Sequence, residues 1–263
     1  MRGTVGEKRA ASICWPAMAS ADGDDFGTTA RGPFARGMAG LRRLLAPRCV
    51  VCDLEAGDPL CPGCARDYFA VDVPRCASCA IRLPAARSDD RCGACLRSPP
   101  RFDRTVALAD YAPPVDRMIA ALKFGGRLPL ADAFGSLLAR AARAVLQEAD
   151  AICPVPLAFE RQSGRGFNQS QEIARRVAAD SGRRLRSDIL LRTRHTSAQM
   201  DLALDERRRN VRGAFVARGQ LAGMRVAVVD DVMTTGATLD EVAAALKGAG
   251  AARVSNLVVA RTP

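Results

Sequence analysis

From residue 101 onward, short apolar runs alternate with helical stripes. Thr105–Tyr111 predicts a strand. Pro113–Lys123 predicts a helix, with proline at its start and Gly125-Gly126 beyond its end. Apolar residues at 130, 134, 137, 138, 141 and 145 fall on one stripe, which predicts a helix over Leu130–Leu146. Ala151–Val155 predicts a strand, Asn168–Ser181 a helix and Gly213–Ala217 a short strand. Arg225–Asp230 is a further strand, Leu239–Lys247 a helix and Val254–Ala260 the last strand. Strands and helices in such alternation predict an α/β fold over 101–263, a parallel, doubly wound sheet flanked by helices.

Two stretches escape this alternation. Residues 1–44 are rich in Gly, Ala and Ser, carry Asp22, Asp24 and Asp25, and lack periodicity, as a disordered tail does. Met18 and Met38 are alternative starts. Residues 45–100 hold eight of the ten cysteines in four C-x-x-C pairs: Cys49/Cys52, Cys61/Cys64, Cys76/Cys79 and Cys92/Cys95. Two such pairs turn four thiolates toward one ion, so the segment reads as a small four-cysteine zinc-ribbon module with one or two closed, structural Zn2+ sites. Consecutive pairing of the knuckles, interleaved pairing and a single occupied site are all consistent with the spacing. Disulfides compete with this reading, and a cytosolic location opposes them. A thioredoxin-type role needs one C-x-x-C at a helix start, not four in a Gly/Pro-rich stretch. So short a module needs its metal to fold. Cys14 and Cys153 lie outside the pattern, and Cys153 reads as a small buried strand residue.

No apolar stretch is long enough to span a membrane and no secretory signal pattern opens the chain, so the expected location is cytoplasmic. The formal net charge is +11. Much of the excess is local, since Arg161–Arg212 contains thirteen arginines against six acids. Pyrophosphate, nucleotides or single-stranded nucleic acid would suit that stretch. A solvated helix face is the alternative for part of it, such as Arg183, Arg184 and Arg186.

The densest chemistry lies in Val226–Thr238, VAVVDDVMTTGAT. A buried parallel strand delivers Asp230 and Asp231 to the sheet's carboxyl edge, where open α/β sheets bind ligands. Thr234, Thr235, Gly236, Ala237 and Thr238 then turn into a helix, whose free amides and dipole favour an anion. Acids for ribose hydroxyls beside a loop for a phosphate suit a sugar phosphate. An ordinary strand–turn–helix with a threonine cap is the alternative. A Rossmann site is disfavoured, because no G-x-G-x-x-G follows the strand. The run resembles, over all thirteen positions, the signature by which type I phosphoribosyltransferases bind phosphoribosyl pyrophosphate (PRPP).

A second anion site is expected opposite the first. Cys153-Pro-Val-Pro156 followed by RQSGRGFNQ (161–169) ends a strand in a stiff loop, brings Arg161 and Arg165, and opens a helix near Asn168. The polar segment Arg192–Arg212, with Gln199 and Arg207, Arg208 and Arg209, reads either as a lid over substrate or as a solvated helix. His195, the single histidine, lies there too and is not assigned as a base.

From Cys49 on, the chain resembles the ComF (competence protein F, GntX-like) family. The features run in order: knuckles ending in CGACLRSPPRFDR, then ALKFGGR around Lys123, PVPLAFERQSGRGFNQ, QMDLALDERRRNVRGAF and VVDDVMTTGAT. The resemblance implies a double zinc ribbon fused to a type I phosphoribosyltransferase domain. It implies that Asp230 and Asp231 meet the ribose hydroxyls of PRPP, that 234–238 hold its 5′-phosphate, and that the loop from Val155 to Arg165 meets its pyrophosphate. It also implies a tie to natural competence and uptake of single-stranded DNA. The expected reaction transfers a 5-phosphoribosyl group to an unspecified nitrogen acceptor, with Mg2+ on the pyrophosphate. Asp230, Asp231 and Arg165 are the expected catalytic residues. A non-catalytic PRPP sensor, or a factor that binds single-stranded DNA or protein, is the alternative, weakened by one Trp and two Tyr as stacking platforms.

Overall fold

The computed structural model describes residues 48–56, 59–69, 73–84, 90–157, 166–193 and 211–263, all within one compact unit, Ala46–Pro263. The expected tail over 1–44, Cys14, Arg161, Arg165, His195, Gln199 and Arg207–Arg209 lie outside the described residues.

Among the described residues four strands form the central sheet: β1 (Arg104–Asp110), β2 (Ala151–Pro154), β5 (Arg225–Met233) and β6 (Arg253–Arg261). Their order is β1-β6-β5-β2, and every pairing is parallel. The two central strands are nearly continuous apolar runs because both of their faces are covered. Alternation along β5 divides the interior. Ala227 and Val229 enter one core, while Val226 and Val228 enter the other.

The first core is closed by α3 (Val115–Gly125), α4 (Pro129–Ala141), α5 (Arg143–Glu148) and α6 (Gln169–Ser181). Leu130, Phe134 and Leu138 bury the stripe of α4, and Leu146 continues it on α5. The predicted helix over 130–146 is therefore two helices that meet at Ala142, whose φ of −96° and ψ of 17° end α4. No Gly or Pro marks that break. The second core is closed by α7 (Ala237–Gly248) through Leu239, Val242, Ala243 and Leu246.

Phe215–Ala217 (β4) does not join the parallel sheet that the alternation predicted for it. It pairs antiparallel with Leu190–Arg192 (β3), which the sequence reading left unassigned. Leu190 and Phe215 pack into the α7 side of the molecule. Three residues per strand give too little periodicity to reveal such a pair.

The cysteine module carries α1 (Pro62–Tyr68) and α2 (Gly93–Arg97) and clasps the β1 edge of the sheet. Cys49, Leu60, Cys64 and Phe69 enter the first core, where Phe69 meets Phe134 at 5.8 Å between ring centroids. Cys76, Cys79 and Cys95 enter the second core. The amide of Thr105 on β1 donates to the Ala77 carbonyl at 3.1 Å, so the module covers an edge that would otherwise expose unpaired backbone. Among the described residues, no helix is long and apolar enough to cross a membrane.

Candidate functional site

β5 does not end at Asp230 as predicted but runs on to Met233, because its ladder with β6 continues through Val232↔Ala260 and Met233↔Arg261. Asp230 and Asp231 are thus strand residues held in register. Asp231 is 5% exposed. Its Oδ1 lies 3.0 Å from Nζ of Lys123, near the end of α3. Its Oδ2 is buried without a hydrogen-bond partner among the described residues. Asp230 is half-buried, and its Oδ1 accepts from Ser170 Oγ and from the Asp231 amide, each at 2.9 Å. Burial, and then the neighbouring Asp231 carboxylate, push the Asp230 carboxyl up to about 7, against smaller opposing effects of Ser170 and Lys123.

The turn after β5 brings the threonines to the same edge. Thr234 is exposed, while Thr235, Ala237 and Thr238 are half-buried. Thr235 Oγ1 accepts from the Ala237 amide at 3.3 Å. Gly236 is the N-cap of α7, with φ of +81° and no side chain of its own to cap the helix, so past the Ala237 amide, which Thr235 takes, the first turn is left for a ligand. A Cβ at Gly236 would lie 2.6 Å from Cε of Met233. The left-handed conformation favours glycine there, while the Met233 thioether end is flexible enough to give way.

The facing wall comes from β2 and α6. Asn168 caps α6, accepting from the amides of Ser170 at 3.0 Å and Gln171 at 3.4 Å. Its Nδ2 donates to the Val155 carbonyl at 3.0 Å, and the Val155 amide donates to Val229 at 2.9 Å. Val155 is buried with both backbone groups engaged, so it shapes this wall from within. Lys123 and Ser170 were not among the predicted site residues. For Lys123 the signals were its place in ALKFGGR, one of the stretches that carry the family resemblance, and its rarity, as one of three lysines beside 36 arginines. A cavity of about 520 Å³ lies elsewhere, at the amino ends of the strands beside Arg104, Arg225 and Arg253, and none of the predicted site residues lines it.

The eight cysteines gather into two groups by consecutive pairing, Cys49, Cys52, Cys61 and Cys64 and then Cys76, Cys79, Cys92 and Cys95. Within each group all Sγ atoms lie within 4.8 Å of one another. Cys52 and Cys61 approach to 3.6 Å, and Cys79 and Cys92 to 3.7 Å. A tetrahedral Zn2+ with bonds of about 2.3 Å sets sulfurs about 3.8 Å apart, so both groups fit the ion. Amides of Cys61 and Cys92 donate to Cys49 Sγ and Cys76 Sγ at 3.4 and 3.2 Å, as suits thiolates. At Cys49 burial opposes ionisation, but backbone hydrogen bonds outweigh it and lower the thiol to about 6. At Cys92 burial is likewise outweighed, by the Cys95 amide and by neighbouring thiols, and the group falls to about 7. Burial raises Cys64 and Cys95. Four crowded thiols resist ionising together, and a dication resolves that conflict. Cys153 belongs to neither group. It is fully buried on β2, and burial pushes its thiol up to about 12.

Comparison with known proteins finds two families along the chain. The phosphoribosyl transferase domain family matches residues 131–263, and the double zinc ribbon domain family matches residues 40–96. The chain is 38% identical over 208 residues to DNA utilization protein YhgH of Escherichia coli O6:H1, covering 77% of this chain and 90% of that one. It is 32% identical over 225 residues to competence protein F of Haemophilus influenzae, covering 81% and 96%. Among solved structures, the glutamine PRPP amidotransferase of B. subtilis is 25% identical with a TM-score of 0.35, over 49% of this chain and 25% of that one. The likeness in sequence spans nearly the whole length of both named relatives; the double zinc ribbon match takes in all eight clustered cysteines, and the phosphoribosyl transferase match takes in β2, β5 and β6 but begins after β1. This chain belongs to the phosphoribosyl transferase family, in the competence protein F group that carries an amino-terminal double zinc ribbon.

Proposed function

We propose that the chain binds Mg2+-PRPP and transfers its 5-phosphoribosyl group to a nitrogen acceptor. The observation that carries this reading is the shared edge. An acid pair lies on β5, Asp231 buried and Asp230 half-buried, and three residues after it a glycine-closed turn opens α7. The unpartnered Oδ2 of Asp231 calls for a donor, and a ribose hydroxyl is one. The start of α7 suits a 5′-phosphate, with Thr234, Thr235 and Thr238 adding hydroxyl donors.

In the reaction the bond from C1 of the ribose to pyrophosphate breaks and a bond from C1 to nitrogen forms. The electron pair leaves with pyrophosphate, and the acceptor nitrogen gives up its proton. Positive charge grows on the sugar as the leaving group departs, and Asp230 and Asp231 hold negative charge beside it. Lys123 holds Asp231 in place before substrate arrives. Mg2+, held through PRPP near Asp230 and Asp231, would neutralise the leaving pyrophosphate. Arg161, Arg165 and the Arg207–Arg209 run supply cations that suit the same group by their charge.

A DNA-handling role without turnover is the second reading, favoured by the names of the two relatives and by the arginine excess over 161–212. Pyrophosphate release from Mg2+-PRPP with candidate amines and bases, beside a salt-dependent titration with single-stranded DNA, separates the two. Release supports transfer. Steeply salt-dependent DNA binding without release supports the second reading and overturns the first.

A further inference from the structure

Arg261 is the last residue of β6 and is 9% exposed. Among the described residues no carboxylate pairs with it. Its guanidinium donates instead to main-chain carbonyls of segments far apart in sequence. Nε reaches the Cys79 carbonyl at 2.9 Å. Nη1 reaches Met233 at 3.4 Å and also the carbonyls of Thr234 and Thr262. One planar, always-charged group therefore ties the second cysteine cluster to the turn that opens α7. A buried guanidinium needs such acceptors, and the acceptors in turn take their direction from it.

The Cys79 carbonyl belongs to the knuckle itself. The Cys79 amide donates to Cys76 Sγ at 3.5 Å, the Ala80 amide donates to the Cys76 carbonyl at 2.8 Å, and Ala80 has φ of +57°. The turn that presents two thiolates to a metal thus also aims the carbonyl at Arg261. Arg75 and Arg82 fasten the same knuckle to the sheet by pairing with Asp110, the register partner of Arg261 on β1. The first cluster packs in the opposite core against α4.

We propose that Arg261 is a positioning residue for the Thr234–Thr238 turn, and that it relays metal occupancy at Cys76, Cys79, Cys92 and Cys95 to that turn. Occupancy at Cys49, Cys52, Cys61 and Cys64 does not reach it. With Zn2+ bound, the second knuckle is fixed and Arg261 is held between two fixed sets of carbonyls. Without the ion the four sulfurs relax apart, the Cys79 carbonyl swings away, and the turn loses its brace. Only the consequence for PRPP affinity rests on the function proposed above.

The test is amide hydrogen exchange at 234–238 in the full zinc-loaded chain. Arg261→Met accelerates exchange there by about 10-fold or more while zinc content stays that of the wild type, and Arg261→Lys falls between the two. Cys95→Ser accelerates the same amides, and adding Arg261→Met to it changes nothing further. Cys64→Ser leaves them at the wild-type rate. Unchanged exchange in Arg261→Met overturns the inference, as does equal acceleration by Cys64→Ser and Cys95→Ser. Should the cysteine variants fail to fold, the two Arg261 variants decide alone, because both keep every thiolate. If this pattern holds while the wild type does not bind Mg2+-PRPP, the brace stands and the proposed function falls.

Discussion

Lys123 Nζ lies 3.0 Å from Asp231 Oδ1, tying the end of α3 to the carboxyl end of β5. Neither partner is well solvated, with side-chain exposures of 20% and 7%. A cation so placed fixes the direction of the Asp231 carboxylate before any ligand enters. Removing it leaves a buried carboxylate uncompensated. Lys123→Met should therefore destabilise the chain by about 2 kcal/mol. Asp231→Asn in the Lys123→Met background should return part of that loss, because the orphaned charge is gone. Chemical denaturation of the two single variants and the double variant measures the coupling.

Asp230 carries a pH signature. Its folded-state pKa is raised from 3.8 to about 7, first by burial and then by Asp231. The folded chain therefore holds this proton more tightly than the unfolded chain. The resulting stabilisation is full below 3.8 and is lost as pH rises toward about 7. Asp230→Asn should flatten the fall in stability across that window and leave the variant more stable than wild type above it. Denaturation midpoints across the window check this. Mg2+-PRPP affinity of the wild type should move the other way, rising through the same window as the carboxylate ionises.

Gly236 closes the turn before α7 with φ of +81°, and a Cβ there meets Met233 Cε at 2.6 Å. Gly236→Ala should cost about 1–2 kcal/mol from the left-handed backbone alone. Met233 is buried in the second core, so Met233→Ala in the same chain should add a cavity cost of about 2 kcal/mol or more and recover nothing, whereas a Met233 side chain that swings aside leaves Gly236→Ala with the backbone cost alone. Thermal unfolding of the three variants separates the two contributions.

The metal content follows from the consecutive grouping of the cysteines. Wild type should carry two zinc ions per chain, and Cys64→Ser and Cys95→Ser one each. Chelation should lower the unfolding temperature, since each cluster lends three or four sulfurs and their neighbours to a core. Elemental analysis of the three purified proteins checks the counts. Two ions remaining in either variant would contradict the grouping.

The parts of this fold that were legible in the chain are those in which one segment holds its own signal. The turn from β5 to α7 is such a segment: a buried apolar strand, an acid pair and a glycine follow one another within Val226–Thr238. The C-x-x-C pairs are another, although their spacing left open which pairs share an ion until the knuckles were seen packed on opposite faces of the sheet. Lys123, Ser170 and Arg261 were not legible as site or bracing residues. Each gains its partner only when α3, α6 or β6 is packed beside β5, and no local pattern reports that approach. The β3–β4 pair was hidden by its brevity. The break at Ala142 was hidden because the apolar stripe passes through it from Leu138 to Leu146 undisturbed.

The central claim is that Asp230, Asp231 and the turn at 234–238 together grip PRPP. Calorimetric titration of the zinc-loaded chain with Mg2+-PRPP, repeated with Asp231→Asn, tests it most directly. The account predicts saturable binding at one site per chain, weakened by about 10-fold or more in the variant, which corresponds to about 1.4 kcal/mol. No binding by the wild type, or equal affinity in a folded Asp231→Asn, would contradict it.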